Sequence, residues 1–201
     1  MASDLDEHLG RSNPGETKAT PKPRSKRWIV EWLLVLLVAL GLAFCLRTFV
    51  IQTYSIPSVS MVPTLKVGDR ILVDKLSYHL HPVHRGDVLV FATPPKEVPI
   101  LMVKDLVKRV IGLPGETISS GPHGEVFING KAIQQPWLTA QAKANPGPPI
   151  RTQTIPKGDM FVMGDNRGLS DDSRDYGPVP ESLIVGRALF GFWPLSRIHL
   201  L

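Results

Sequence analysis

Asp105-Leu106-Val107-Lys108-Arg109-Val110-Ile111-Gly112-Leu113-Pro114-Gly115 is an apolar run broken by two adjacent cations and closed by Pro-Gly. β-Branched and apolar residues at this density, ended by turn formers, predict a strand over residues 101–113. Successive strand side chains leave on opposite faces, so Lys108 and Arg109 point apart. Similar runs over residues 49–56, 70–76, 87–91 and 183–192 predict further strands. Asn129-Gly130 sits between Val126-Phe127-Ile128 and Ala132-Ile133, a strong hairpin signal. Pro and Gly punctuate nearly every gap, and residues 135–149 read as a loop-rich stretch. The fold class is therefore mainly β, an antiparallel sheet or barrel-like domain.

Upstream the pattern changes. Residues 28–46 are almost wholly apolar. About nineteen residues at roughly 1.5 Å rise give about 28 Å, near the hydrocarbon thickness of a bilayer. Glu31 falls in the first turn, where it stays at headgroup level beside Trp28 and Trp32. Lys18, Lys22, Arg24, Lys26 and Arg27 precede the run without an intervening acid, and Arg47 closes it. Positive charge flanking a span sets topology, here N-terminus inside and C-terminus outside. The polar, Pro-bearing segment before it reads as a disordered arm. The expected organisation is an arm over 1–27, a single transmembrane anchor over 28–47 and one β domain over 48–201. A cleaved signal peptide is the competing reading, since Gly41-Leu42-Ala43 has the small residues cleavage needs. The apolar run continues past Ala43 through Leu46, which favours an uncleaved anchor.

Composition narrows the chemistry. The chain of 201 residues has net charge +5 and 43% hydrophobic residues. Its basic excess is clearest beside the apolar run, with no aromatic-interleaved basic patch elsewhere, so a nucleic-acid partner is not expected. Cys45 is the single cysteine, which excludes an intrachain disulfide and cysteine-based zinc sites. Lipidation at Cys45 is disfavoured by the bulky Phe44 before it. His79, His81 and His84 cluster without nearby carboxylate or Cys ligands in a metal pattern, so they read as a solvated loop and no metal is expected.

Ser58-Val59-Ser60-Met61-Val62-Pro63-Thr64-Leu65 is an unusual stretch for a core strand. A serine hydroxyl is a poor nucleophile unless a base takes its proton. None of the six histidines sits in a catalytic-looking motif. Lys108, flanked by Leu106, Val107, Val110 and Ile111, is the better candidate base. Holding a lysine neutral near pH 8 costs roughly 3 kcal/mol, which burial among apolar neighbours can supply. Spacing alone also allows an exposed strand lysine. No local S-x-x-K motif occurs, which disfavours a penicillin-binding type of Ser-Lys site.

A third block completes the pattern: Gly164-Asp165-Asn166-Arg167, then Ser170, Asp172, Ser173 and Arg174. The three blocks, in this order behind an apolar anchor and over about residues 47–192, resemble the bacterial type I signal peptidases. That resemblance implies a serine endopeptidase that removes signal peptides from exported preproteins and needs no cofactor. By motif match Ser60 is the nucleophile and Lys108 the general base. Ser58 and the Ser60 N–H bind the oxyanion, and Ser170 orients the lysine amine. Asp172 pairs with Arg174 and Asp165 with Arg109. Ile56, Pro57, Met61, Leu65, Leu106 and Val107 match the wall that takes the −1 residue. Tyr54, Ile71 and Val90 match the wall for the −3 residue. Shallow apolar walls accept Ala and reject bulk, and the peptide binds extended beside the Lys108 strand. The implied partners are signal peptides and a lipid bilayer, and the implied location is a bacterial-type plasma membrane or a thylakoid membrane. Members with two spans and a large second β region differ from this chain, which has one span and a short insert. Rival readings are another Ser-Lys protease, a membrane-tethered β module that binds signal peptides or partners without cutting, and a secreted β protein.

Overall fold

The computed structural model describes residues 26–95, 97 and 103–201. The expected arm therefore lies outside the described residues except at its end, as does the start of the 101–113 strand. The first element is α1 (Arg27–Cys45), a 19-residue helix with no buried residue. With Leu46–Val50 it forms one 24-residue run that contains an 18-residue stretch of mean hydropathy 2.7, long and apolar enough to cross a membrane. Its sequence has no proline and is dominated by Leu, Val and Ala, so the backbone groups of its interior can all be satisfied within the helix.

Among the described residues the domain from Leu42 onward has twelve strands. They are β1 (Ile51–Ser55), β2 (Arg70–Asp74), β3 (Val88–Ala92), β4 (Asp105–Gly112), β5 (Thr117–Ser120) and β6 (Val126–Ile128). There follow β7 (Lys131–Ala132), β8 (Gln153–Thr154), β9 (Asp159–Met163), β10 (Val179–Pro180), β11 (Ile184–Trp193) and β12 (His199–Leu200). One sheet runs β1-β2-β11-β3-β4-β9-β10, with β12 added against β11. A smaller sheet runs β7-β6-β5-β8. Every pairing is antiparallel. Register shifts along β11 mark bulges, which bend a strand and raise its twist, and so curl the large sheet.

The period-2 pattern shows directly in the packing. On β3, Val88 and Val90 join a cluster with Ile56, Met61, Leu65, Ile71 and Val73, while Leu89 and Phe91 join one with Val110, Met160 and Val162. On β9, Met160 and Val162 face that second cluster, whereas Phe161 and Met163 face Ile111, Ile118 and Ile155 under the small sheet. Both faces of these central strands are covered, which is why they read as continuous apolar runs. The β6–β7 turn has Asn129 at φ 50° and Gly130 at φ 77°, the paired positive values of a type I′ hairpin. The loop-rich stretch is not wholly irregular. Thr139 Oγ1 accepts from the Ala142 N–H and caps a short helix, Ala140–Ala144.

Candidate active site

β1 ends at Ser55, and the chain turns through 56–69 before β2 begins. Ile56 N–H donates to Asp69 O and Gly68 N–H to Ile56 O, closing the turn at its base. Met61 and Leu65 are buried and pin its interior. Ser60 stands at the inner end, 9% exposed, with its Oγ 3.2 Å from Ser58 Oγ. Among the described residues the Ser60 N–H has no protein acceptor. The Ser60 carbonyl accepts from Asn166 N–H at 2.9 Å, and Asn166 Nδ2 donates to Val59 O at 3.0 Å. Thr64 Oγ1 donates to Asp165 Oδ2. The Ser60 turn is thus stitched to the Gly164-Asp165-Asn166-Arg167 turn, which follows β9.

β4 delivers Lys108 and Arg109 in different directions. Arg109 grips Asp165 through Nε at 2.9 Å and Nη2 at 2.8 Å, donates to Gly86 O, and lies 4.9 Å from the Trp137 ring centroid. Lys108 is 3% exposed, and its Nζ donates to Ser170 Oγ at 2.9 Å. Burial pulls its pKa down to about 8, against the pull of the Asp172 and Asp171 carboxylates. An amine of that pKa is roughly one-tenth neutral at pH 7 and half neutral at pH 8. Lys108 and Ser60 line the same cavity. Catalytic hydrogen bonds commonly tighten only with substrate bound.

Ser170 is held by its successors. Asp172 and Arg174 form a two-pronged pair, both contacts 2.8 Å, with both side chains fully buried. Asp172 also accepts from the Gly164 N–H and opens the short helix Ser173–Tyr176 through a capping box with Asp175. Arg174 donates onward to Pro146 O and Arg167 O. Three contributors had no role in the sequence reading. Gly164 leaves no room for a Cβ, which would lie 2.5 Å from Ser60 O and 2.3 Å from Ser170 Oγ. Ser173 Oγ accepts from Val162 N–H. Arg167, buried, donates to Gly164 O and Gln135 Oε1, and burial pulls its pKa down to about 10, still cationic at neutral pH. All three lie inside the quoted block, but only their neighbours in space reveal what they do.

The cavity holds about 370 Å³ and is lined in part by Tyr54, Ile56, Pro57, Ser58, Ser60, Met61, Leu106, Val107 and Lys108. Leu65, Ile71 and Val90, expected on the same walls, are fully buried and sit behind it, in the core cluster with Ile56 and Met61. Ser55, Val59, Val103, Asp105, Leu169 and Asp171 also line the cavity. Among the described residues no histidine lines it. His81 Nδ1 instead meets Ser77 O, and His79 and His81 border a different cleft.

A hydroxyl, a buried amine poised to be neutral and a free backbone donor, in an apolar cleft beside a strand, are the parts that acyl transfer needs. The model of the family described as "Signal peptidase, peptidase S26" matches residues 29–193, and the chain belongs to that family. A probable signal peptidase I-1 of Synechocystis sp. is 43% identical over 182 residues, covering 89% of each chain. Signal peptidase I of Leptolyngbya laminosa is 36% identical over 200 residues, 98% of this chain and 96% of its own. A solved signal peptidase I from Enterococcus faecalis is 32% identical with TM-score 0.45, covering 53% of this chain and 97% of its own.

Proposed function

We propose that this chain is a membrane-anchored endopeptidase that removes N-terminal signal peptides from exported preproteins, cutting after small residues at −3 and −1. One observation carries the reading. The fold gathers Ser60 and Lys108, far apart in sequence, at one apolar cavity, with the lysine amine buried and bonded to Ser170. Neutral Lys108 Nζ takes the proton of Ser60 Oγ as the oxygen attacks the scissile carbonyl. Ser60 N–H and Ser58 Oγ hold the oxyanion. The lysine then protonates the leaving amine, and the acyl-enzyme is hydrolysed by water that Lys108 activates in turn. Ser170, Gly164 and the Asp172–Arg174 pair position these groups. Residues 28–47 anchor the chain with its N-terminus cytoplasmic, and residues 48–201 form the extracytoplasmic catalytic domain at a plasma or thylakoid membrane.

The test is incubation of the purified full chain with a preprotein in detergent, followed by reading the new N-terminus. Cleavage after the small-x-small site is expected, with a folded Lys108→Arg variant inactive because arginine does not deprotonate. Cleavage at near-wild-type rate by Lys108→Arg would overturn the Ser-Lys mechanism.

A further inference from the structure

Among the described residues the wall of the Ser60 cavity carries four ionisable side chains: Tyr54, Asp105, Lys108 and Asp171. Lys108 works as a neutral amine, and burial, then Asp105, raises the Tyr54 pKa, so the phenol is uncharged. The two carboxylates set the charge of the cleft. The buried acids are occupied structurally: Asp165 by Arg109, Asp172 by Arg174, Asp69 by Arg197 and Asp87 by Arg187. Among the described residues neither Asp105 nor Asp171 has an ion-pair partner within 4.0 Å.

Their places along the cleft differ. Ser170 is extended, at φ −130° and ψ 118°, and turns its hydroxyl onto Lys108, while the residues on either side of it, Leu169 and Asp171, reach the cavity. Asp171, exposed at the rim, therefore stands at the scissile end. Asp105 lies three residues before Lys108 on β4, about 10 Å away at roughly 3.3 Å per residue. In an extended substrate, side chains at −3 and −1 enter the apolar wall. Those at −2 and +1 alternate outward toward the rim.

Building on the function proposed above, we propose that Asp171, with Asp105 as a weaker second charge, makes the enzyme select by charge at the −2 and +1 positions, favouring basic and disfavouring acidic side chains. A unit charge about 7 Å away, at an effective dielectric of roughly 40–80, changes binding about three- to sevenfold. Glu to Lys is two such steps, so the ratio of kcat/KM between Lys and Glu substrates is about tenfold or more at low salt.

The experiment uses the full chain in neutral detergent and synthetic precursor peptides with Ala at −3 and −1, differing only by Lys, Gln or Glu at −2 or +1. The order Lys, Gln, Glu is expected for the wild type. Asp171→Asn should compress the Lys-to-Glu ratio at least threefold, and about 1 M salt, where the Debye length is about 3 Å, should do the same to the wild type. Because the ratio is taken within one enzyme at one pH, any change in Lys108 basicity cancels. Equal rates for the three peptides, or an undiminished ratio in Asp171→Asn, overturns the charge selection while leaving signal-peptide cleavage standing. No cleavage of the neutral Gln peptide by the wild type overturns the proposed function, and this inference with it.

Discussion

Gly164→Ala isolates the role of close approach. Gly164 follows β9 where the chain passes between the Ser60 carbonyl and the Ser170 side chain. A Cβ there would lie 2.5 Å from Ser60 O, 2.3 Å from Ser170 Oγ and 2.6 Å from Ser170 Cβ. Relaxed carbon contacts lie near 3.5 Å, so the two segments must part by about 1 Å. A rotamer change does not relieve the clash. Ser60 O is backbone held by Asn166 N–H, and a rotated Ser170 hydroxyl abandons Lys108 Nζ. Displacing reacting groups by about 1 Å costs on the order of 10²-fold in rate. Overpacking costs about 1–3 kcal/mol, a fall in Tm of roughly 2–12 °C for a domain of this size. The assay is kcat and KM on a precursor peptide at pH 9, with thermal unfolding followed by circular dichroism. The expected result is a folded protein with kcat lowered about 10²-fold. Activity within about threefold of wild type would refute the view that Gly164 sets the spacing of Ser60 and Ser170.

Three further outcomes are expected. With Lys108 as the proposed base, active only when neutral, and its pKa pulled down to about 8, kcat/KM should rise with pH and level off above about 8.5. Below pH 7 it should fall about tenfold per unit; a flat profile from pH 6 to 9 would exclude lysine as the base. Ser58→Ala should lower kcat about 10²–10³-fold with little change in KM, the usual cost of losing one oxyanion donor, and Ser58→Thr should retain more activity than Ala. Equal kcat for wild type and Ser58→Ala would reduce Ser58 to a turn residue. In intact cells, or in spheroplasts where an outer barrier exists, protease added outside should digest the domain from residue 48 onward; protection until lysis would reverse the topology.

What could be read from the chain alone was local. The apolar run of α1, the Asn129-Gly130 turn and the β-rich runs are properties of neighbouring residues, so the mainly antiparallel β class and most strand positions followed from periodicity. Lys108 could be named as a candidate base from its apolar neighbours, whereas the roles of Ser60 and Ser170 came from the resemblance of the three ordered blocks to a known family. Only the tertiary structure decided which groups meet. The Lys108–Ser170 contact joins positions 62 apart, and the depressed lysine pKa exists because packing around β4 removes water from the amine. Packing also decides which apolar side chains form a wall and which stand behind it. Ile56 and Met61 reach the cavity, while Leu65, Ile71 and Val90, equally apolar, do not. Asp171 and Gly164 carry no distinguishing signal in sequence, since one is an ordinary loop acid and the other an ordinary turn glycine. Their significance lies in what stands a few ångströms away, and only the folded chain determines that.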